Sequence, residues 1–189
     1  MDRQTDRQTD RQTDRQTDRQ NFLFVYGNSG LGKSLIYLLE SNPKINIWDE
    51  IVFINDFEQK EILGYKTISF EDSLQLNQLN NRDYIIALGE PFFRSLLYKK
   101  CQHHNLKMVT INGSQYPIFR TTTIKKGCLI HFGSIIDADA IISENTFINK
   151  NVIVGMGSVV TKDIPDNQVV VGNPARFIRY NETKRVFKS

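Results

Sequence analysis

The sequence contains few cysteines and no long apolar run. Cys101 and Cys128 are its two cysteines, and their separation fits neither a metal-ligand motif nor a disulfide framework. We therefore expect a reducing, cytoplasmic location and no metal site. No apolar stretch approaches the length of a membrane span, and the N-terminus lacks the apolar core of a signal peptide. The net charge of +3 is too small to predict nucleic-acid binding by itself.

The N-terminal segment is a four-residue repeat, DRQT, that runs through residues 2–20 without one apolar side chain. Such a segment has nothing to bury, so we expect residues 1–20 to form a disordered tail and the folded protein to begin near Asn21. In the genetic code, Asp-Arg-Gln-Thr can be written GAC AGA CAG ACA, which is three copies of the tetranucleotide GACA. Tetranucleotide tracts slip during replication and resemble those of bacterial phase-variable loci, whose products often build surface glycans.

Strand-like and helix-like segments alternate between residues 21 and 112. We predict strands at 21–26, 51–54, 83–88 and 107–111, and helices at 32–41, 70–79 and 91–104. This alternation predicts a small Rossmann-like domain, residues 21–113, with a parallel sheet. Ligands of such sheets bind beyond the carboxyl ends of the strands, where Gly27, Asp56 and Gly89 fall.

A glycine-rich stretch, GNSGLGKS at residues 27–34, matches the phosphate-binding loop of nucleoside triphosphatases. Triphosphate hydrolysis also needs switch elements and an acidic Mg²⁺ ligand, for which this small domain has little room. We therefore favour a phosphate-binding loop that does not hydrolyse a triphosphate. Under this hypothesis Lys33 and Ser34 are ordinary polar residues of a helix's first turn.

A strict period of six replaces the α/β pattern after residue 114. A branched aliphatic residue recurs at every sixth position: Ile118, Ile124, Ile130, Ile136, Ile142, Ile148, Val154 and Val160. A mostly small residue lies four positions after each from the second onward, preceded by Gly, Asn or Asp, which tolerate left-handed turns. The period predicts a β-helix over residues 114–180, with three strands per turn and the aliphatic side chains stacked inside. Residues 181–189 are predicted to be a C-terminal tail.

The chain resembles the sugar acetyltransferases of the left-handed β-helix class that carry an N-terminal nucleotide-sugar domain. Sialic acid O-acetyltransferases and bacillosamine-type amino-sugar N-acetyltransferases belong to this class. The resemblance rests on FVYGNSGLGKS, IVFIND, DYIIALGEPFFR, the six-residue repeats and VGMGSVVTKDIPDNQVVVGNPARFIR. It implies a small parallel-sheet domain followed by a left-handed parallel β-helix, a homotrimer, and acetyl-CoA bound between neighbouring β-helices.

The resemblance also implies the site residues. A sugar or nucleotide-sugar would be bound by Gly27, Asn28, Ser29, Gly30, Gly32, Asn55, Asp56 and Gly89, with the phosphates at the helix N-terminus. Gly27 and Gly30 would allow the tight turn, and Asp56 would receive ribose or uracil groups. Acetyl-CoA would be bound by Gly155, Gly157, Gly172, Asn173, Pro174, Ala175 and Arg176. No metal, nucleic acid or membrane span is implied.

The chain differs from this class at the position of the catalytic histidine. Members of the class use a histidine on a middle coil as general base, but here ISENTFINK runs directly into NVIVGMGSVV, and the coils with that histidine are absent. His103 and His104 are expected to close a helix in solvent. His131 is the one histidine of the repeats, so it is the candidate base, although its position predicts an outward-facing side chain. The hypotheses are an acetyltransferase of surface-glycan synthesis, a non-catalytic nucleotide-sugar-binding protein and, less favoured, a triphosphatase.

Overall fold

The computed structural model describes residues 20–76 and 81–181. Residues 1–19 of the predicted N-terminal tail, the end of the predicted helix 70–79 and residues 182–189 of the predicted C-terminal tail lie outside it. The first part is a parallel sheet in the order β3–β2–β1–β4. Its strands are β1 (Asn21–Tyr26), β2 (Glu50–Ile54), β3 (Thr67–Ile68) and β4 (Asn81–Ile86). The helices are α1 (Gly30–Glu40), α2 (Phe70–Gln75) and α3 (Pro91–His103).

The later parts of the three longer strands, residues 23–26, 51–54 and 84–86, are apolar and buried, as is typical of parallel strands that are covered on both faces. Leu23 and Val25 of β1 point into one core with the buried face of α1. Phe24 and Tyr26 point into a second core with α2 and α3. The period of two along β1 thus distributes its side chains to both layers of helices.

The predicted strand 107–111 is wrong. Met108 forms a single bridge to Tyr84, and the fourth strand of the sheet is β3 instead. Ile111 belongs to another sheet, since β5 (Ile111–Asn112) pairs with Leu129 and Ile130. The pairing of the second part of the chain therefore begins before residue 114.

The second part is a parallel β-helix built from three sheets of short strands. Its strands after β5 are β6 (Thr123–Ile124), β7 (Leu129–Ile130), β8 (Ile135–Ile136), β9 (Ile141–Ile142), β10 (Phe147–Ile148), β11 (Ile153–Val154), β12 (Val159–Val160), β13 (Gln168–Val171) and β14 (Arg176–Tyr180). Leu129 pairs with Phe147 and Ile135 with Ile153, so equivalent positions recur after three six-residue repeats. This register continues through residues 150–151, where the chain lacks the middle coils of the class that it resembles.

The interior of the β-helix follows the predicted period. From Ile130 to Val160 each sixth-position aliphatic side chain is at most 1% exposed. The small residues of the second series are also buried: Cys128, Ser134, Ala140, Thr146, Val152 and Ser158. The residues before them all have positive φ angles: Gly127, Gly133, Asp139, Asn145, Asn151 and Gly157. Each corner therefore turns in a left-handed conformation, which glycine, asparagine and aspartate tolerate best.

The two parts are joined by polar and apolar contacts. Arg94 of α3 is 3% exposed, and its guanidinium donates to the carboxylate of Asp163 and to the carbonyl oxygens of Leu88 and Asn145. Leu129 and Phe147 of the β-helix lie in the same core as α1. The sheet domain thus packs on the β-helix through its helices α1 and α3.

Candidate functional site

Three strand ends open onto one cavity. It has a volume of about 1010 Å³ and lies beyond the carboxyl ends of β1, β2 and β4, against α3. Five of the predicted residues line it: Gly27, Asn28, Ser29, Asn55 and Asp56. Gly30, Gly32 and Gly89 are not among its lining residues, and Leu88 forms the wall beside Gly89.

Sequence reasoning missed the wall that α3 contributes. Phe93, Leu96, Leu97 and Lys100 line the cavity from this helix, and Phe57 lines it from the loop after β2. Phe93 and Leu96 are more than half exposed, so their apolar surface is accessible to a ligand. The spacing of three and four residues along α3 is the helical-face signal that could have identified this wall.

The glycine loop owes its shape to Gly27 and Gly32. Gly27 has φ +113°, and a Cβ atom there would lie 2.6 Å from Leu88 Cδ1. A Cβ atom on Gly32 would collide with the carbonyl oxygen of Gly27, so the helix can approach the strand only with glycine there. Gly30 already belongs to α1 and has open space before it, so the predicted turn role of Gly30 is wrong. That open space leaves room for a ligand.

The first turn of α1 offers backbone N–H groups that have no partner within the helix. Ser29 precedes the helix, but its side chain makes no capping hydrogen bond. The first N–H groups of a helix have no partner within it, and its N-terminus favours negative charge. Lys33 is exposed and does not line the cavity, in contrast to the lysine of a triphosphatase loop. The loop is therefore suited to an anion held by backbone donors.

Asp56 is held in a network with Tyr26 and Lys100. The Tyr26 hydroxyl donates to Asp56 Oδ2, and the backbone N–H of Phe70 donates to Oδ1 at 2.8 Å. Lys100 Nζ lies 3.3 Å from Oδ2, 3.1 Å from the Tyr26 hydroxyl and 3.9 Å from the centre of the Phe70 ring.

This network shifts the pKa values of both partners. Burial raises the pKa of Tyr26, and the hydrogen bond to the charged Asp56 raises it further. Partial burial alone would raise the pKa of Asp56, but the hydrogen bonds from Tyr26 and Phe70 and the charge of Lys100 lower it below its ordinary value. Asp56 is thus an ionised carboxylate whose Oδ2 atom is already occupied. Lys100, which the sequence analysis did not predict, pairs with Asp56 in the cavity wall, and the exposed Lys99 is a second cation in the lining.

A hydrogen bond between Asn28 and Asn55 joins the loops that follow β1 and β2. Asn55 Nδ2 donates to Asn28 Oδ1 at 2.9 Å, while Asn55 Oδ1 accepts the backbone N–H of Phe57. Both acceptor oxygens are therefore used inside the protein. The N–H groups of the Asn28 amide remain available as donors at the cavity wall.

His131 points outward from the coil, as predicted, but it is buried, so its predicted exposure is wrong. It is 3% exposed because α1 covers that side of the coil. Its Nε2 atom lies 2.8 Å from Ser34 Oγ, and the backbone N–H of Phe132 donates to Nδ1 at 3.0 Å. Burial lowers the pKa of His131 to about 4, and the charge of Lys150 lowers it while that of Asp166 opposes the shift. Ser34 is correspondingly more than a polar residue of the helix's first turn.

The residues predicted for acetyl-CoA meet at one corner of the β-helix. Gly172, Asn173, Pro174 and Ala175 form the turn between β13 and β14, and Val159 N–H donates to the Gly172 carbonyl. Gly155 N–H donates to the Val170 carbonyl, and a Cβ atom there would lie 2.6 Å from Val171. Gly157 turns the chain at this corner with φ +67°. β14, which begins with Arg176, is exposed along its whole length.

Residues 22–101 match the family model of the PglD N-terminal domain. The acetyltransferase domain of PglB from Neisseria gonorrhoeae FA1090 superposes with a TM-score of 0.54 at 19% identity, covering 83% of this chain and 99% of that one. The chain therefore has the fold of that acetyltransferase domain. The resemblance inferred from the sequence is thereby confirmed, as is the fold class of a parallel-sheet domain followed by a left-handed β-helix.

Two further proteins similar to this chain are named sugar N-acetyltransferases. A point mutant of perosamine N-acetyltransferase from Caulobacter crescentus, solved with CoA and GDP-perosamine, has a TM-score of 0.50 at 18% identity over 83% of this chain and 96% of that one. A dTDP-3-amino-3,6-dideoxy-alpha-D-galactopyranose 3-N-acetyltransferase from Aneurinibacillus thermoaerophilus is 47% identical over 62 residues. That alignment spans 33% of this chain and 29% of the relative.

Membrane spans and metal clusters are both missing from residues 20–76 and 81–181. Within these ranges, none of the helices has the length and apolar character needed to cross a membrane. In the same described part of the chain, no group of three or more His, Cys, Asp or Glu side chains is arranged to hold a metal ion.

Proposed function

We propose that this protein is an acetyl-CoA-dependent acetyltransferase that acts on a sugar, either a nucleotide-activated amino sugar or a sialic acid, in bacterial surface-glycan synthesis. The observation that carries the proposal is the cavity of about 1010 Å³ at the carboxyl edge of the sheet, where a glycine loop opens α1. The cavity is combined with a β-helix of the acetyltransferase fold, on which acetyl-CoA would bind.

The cavity provides the parts that a nucleotide-sugar needs. The free N–H groups at the start of α1 would hold the phosphates, as helix N-termini commonly do. Lys100 adds positive charge, and Asn28 adds amide donors. Phe57, Phe93 and Leu96 offer exposed apolar surface to a base or sugar ring.

Acetyl-CoA would lie along the corner formed by Gly155, Gly157 and the Gly172–Ala175 turn. One structural relative was solved with acetyl coenzyme A and another with CoA. The exposed strand β14 leaves this corner open to a neighbouring copy of the chain. A homotrimer in the cytoplasm is therefore part of the proposal, as is phase variation through the DRQT tract.

The reaction requires a proton acceptor. A sugar amine or hydroxyl attacks the thioester carbonyl, the C–S bond breaks, CoA leaves as the thiol, and the attacking atom loses its proton. His131 is the one histidine between residues 114 and 181, and both of its ring nitrogens are engaged in hydrogen bonds. This observation supports the second candidate function, a nucleotide-sugar-binding protein without catalytic activity.

One experiment separates the two candidates. Full-length protein would be titrated calorimetrically with acetyl-CoA, with sialic acid and with UDP-, dTDP- and GDP-linked amino sugars, and release of the CoA thiol would be followed in parallel. Binding of acetyl-CoA and of a sugar ligand, with release of the CoA thiol, supports the enzyme. Binding without thiol release above the rate of acetyl-CoA hydrolysis in buffer supports the binding protein. If neither a nucleotide-sugar, a sialic acid nor acetyl-CoA binds, both candidates are wrong.

A matched variant keeps the assay specific. Lys100→Gln removes one of the two lysines that line the cavity, so we expect weaker binding of the nucleotide-sugar and unchanged binding of acetyl-CoA. Lys107→Gln is the control, because Lys107 pairs with Asp83 near the start of β4, away from the carboxyl ends of the strands, and its side chain is 71% exposed. Sedimentation at several protein concentrations tests the homotrimer.

A further inference from the structure

His131 connects the β-helix to the helix that carries the glycine loop. Ser34 lies on α1 one turn after Gly30, and its Oγ atom is 2.8 Å from His131 Nε2. The two residues are 97 positions apart in the sequence, and the imidazole is 3% exposed. Such a contact has a defined geometry, because the buried imidazole cannot turn to water instead.

The second ring nitrogen fixes the direction of this hydrogen bond. Phe132 N–H donates to Nδ1, so Nδ1 carries no proton. A neutral imidazole has one N–H group, and it must therefore be at Nε2. Nε2–H donates to Ser34 Oγ, and no lone pair of the ring is left to receive a substrate proton. His131 is thus unsuited to the role of general base in this arrangement, although that was its predicted role.

The other contacts of α1 with the β-helix are apolar. The Leu38 side chain lies against Gly113, where a Cβ atom would be 2.6 Å from Leu38 Cδ1. Leu129 and Phe147 pack in the same core as α1. Apolar contacts are non-directional and leave small shifts of a helix nearly equal in energy. Among the hydrogen bonds of the described residues, the Ser34–His131 bond is the directional contact of α1 with the β-helix.

We propose that His131 is a positioning residue: through Ser34 it fixes α1 on the β-helix and thereby holds the first-turn N–H groups at the cavity. A small rotation of α1 would move those groups, because they lie within one turn of Ser34. The proposal rests on the proposed function only for the identity of the bound anion. It assigns to His131 the alignment of the two ligand sites and not a proton transfer.

Amide hydrogen exchange of the free, full-length protein tests this proposal. Lys33 N–H bonds to the Ser29 carbonyl in the first turn of α1, and its exchange rate reports local opening of that turn. We expect His131→Ala and Ser34→Ala each to accelerate exchange at residues 33–35 at least tenfold. Val160→Ala is the matched control, since Val160 is fully buried in the β-helix core and is absent from the core that contains α1.

Each outcome decides the proposal. Acceleration in both variants but not in Val160→Ala supports it, and Ser34→Ala serves if His131→Ala does not fold. Equal rates at residues 33–35 in Ser34→Ala and Val160→Ala would overturn it. His131→Gln keeps an N–H group for Ser34 and is expected to restore most of the protection, which a general loss of packing would not predict.

Binding of UDP, used as the probe anion, then relates the contact to the site. We expect the dissociation constant to rise 3- to 10-fold in Ser34→Ala and to stay within 2-fold in Val160→Ala. If UDP, the nucleotide-sugars, sialic acid and acetyl-CoA all fail to bind the wild type, the proposed function is wrong, while the exchange rates still decide the positioning role. Tight UDP binding that is unchanged in Ser34→Ala would contradict the proposal that this contact aligns the site.

Discussion

The guanidinium of Arg94 on α3 donates to the carboxylate of Asp163 in the β-helix, 69 residues further along the chain. Asp163 also accepts the backbone N–H of Phe147 at 2.9 Å, and the Phe147 ring lies 5.1 Å from the Arg94 guanidinium carbon. Arg94 donates as well to the Leu88 carbonyl, in the wall of the cavity. One buried cation therefore joins the cavity wall, α3 and the β-helix.

Removal of this cation should be costly. Arg94→Met keeps most of the volume but leaves the partly buried carboxylate of Asp163 without its cation and two carbonyl groups without the Arg94 donor. We expect the free energy of unfolding in urea to fall by about 3–5 kcal/mol, as for other broken buried ion pairs. Lys107→Met breaks a pair in which Lys107 is 71% exposed, and the buried Asp83 keeps its hydrogen bond from Trp48, so the loss should be smaller, about 1–2 kcal/mol. Equal losses in the two variants would mean that Arg94 does not join the two parts.

The stability of the protein should depend on pH through His131. Its pKa is about 4 when folded, below the ordinary 6.5, so only the unfolded chain takes up this proton between these values. The contribution of neutral His131 is full above pH 6.5 and decreases as the pH falls toward 4. We expect this residue to account for up to about 3 kcal/mol of that decrease.

The comparison that isolates this effect is between the wild type and His131→Gln, which cannot titrate. Urea unfolding at pH 7 and pH 4.5 should show a larger loss of stability in the wild type. Parallel losses in the two proteins would show that other groups cause the pH dependence.

The glycine loop should respond differently at each glycine. Gly32→Ala brings a methyl group against the Gly27 carbonyl, and we expect it to lower stability by about 1–3 kcal/mol. Gly30→Val should leave the melting temperature within a few degrees but abolish nucleotide-sugar binding, because its side chain would fill the open space before α1. Lys33→Ala should weaken binding much less. Complete loss of affinity on changing Lys33 alone would favour the triphosphatase hypothesis.

The repeat tail can be tested by deletion. Removal of residues 2–20 should leave the melting temperature and the oligomeric state unchanged, since the segment has no apolar side chain to contribute to a core. Differential scanning calorimetry and sedimentation of both forms provide the measurement. A clear fall in the melting temperature would mean that the tail packs on the folded part.

The sequence by itself determined the parts of the fold in which every side chain repeats the environment of an earlier one. The period of six predicted the buried positions of the β-helix and the left-handed corners at Asn145 and Asn151, because each coil lies on its neighbour in the same register. Long apolar runs likewise predicted β1, β2 and β4 to within two residues at each end.

Only the tertiary structure decided which element covers which surface. The pattern around His131 marked an outward-facing position, but α1 of the other domain covers that surface and buries the ring. Tyr26, Asp56 and Lys100 come from three separate segments, and no local period relates them. Periodicity records the environment that a segment makes for itself, whereas these contacts depend on how the chain crosses over between segments.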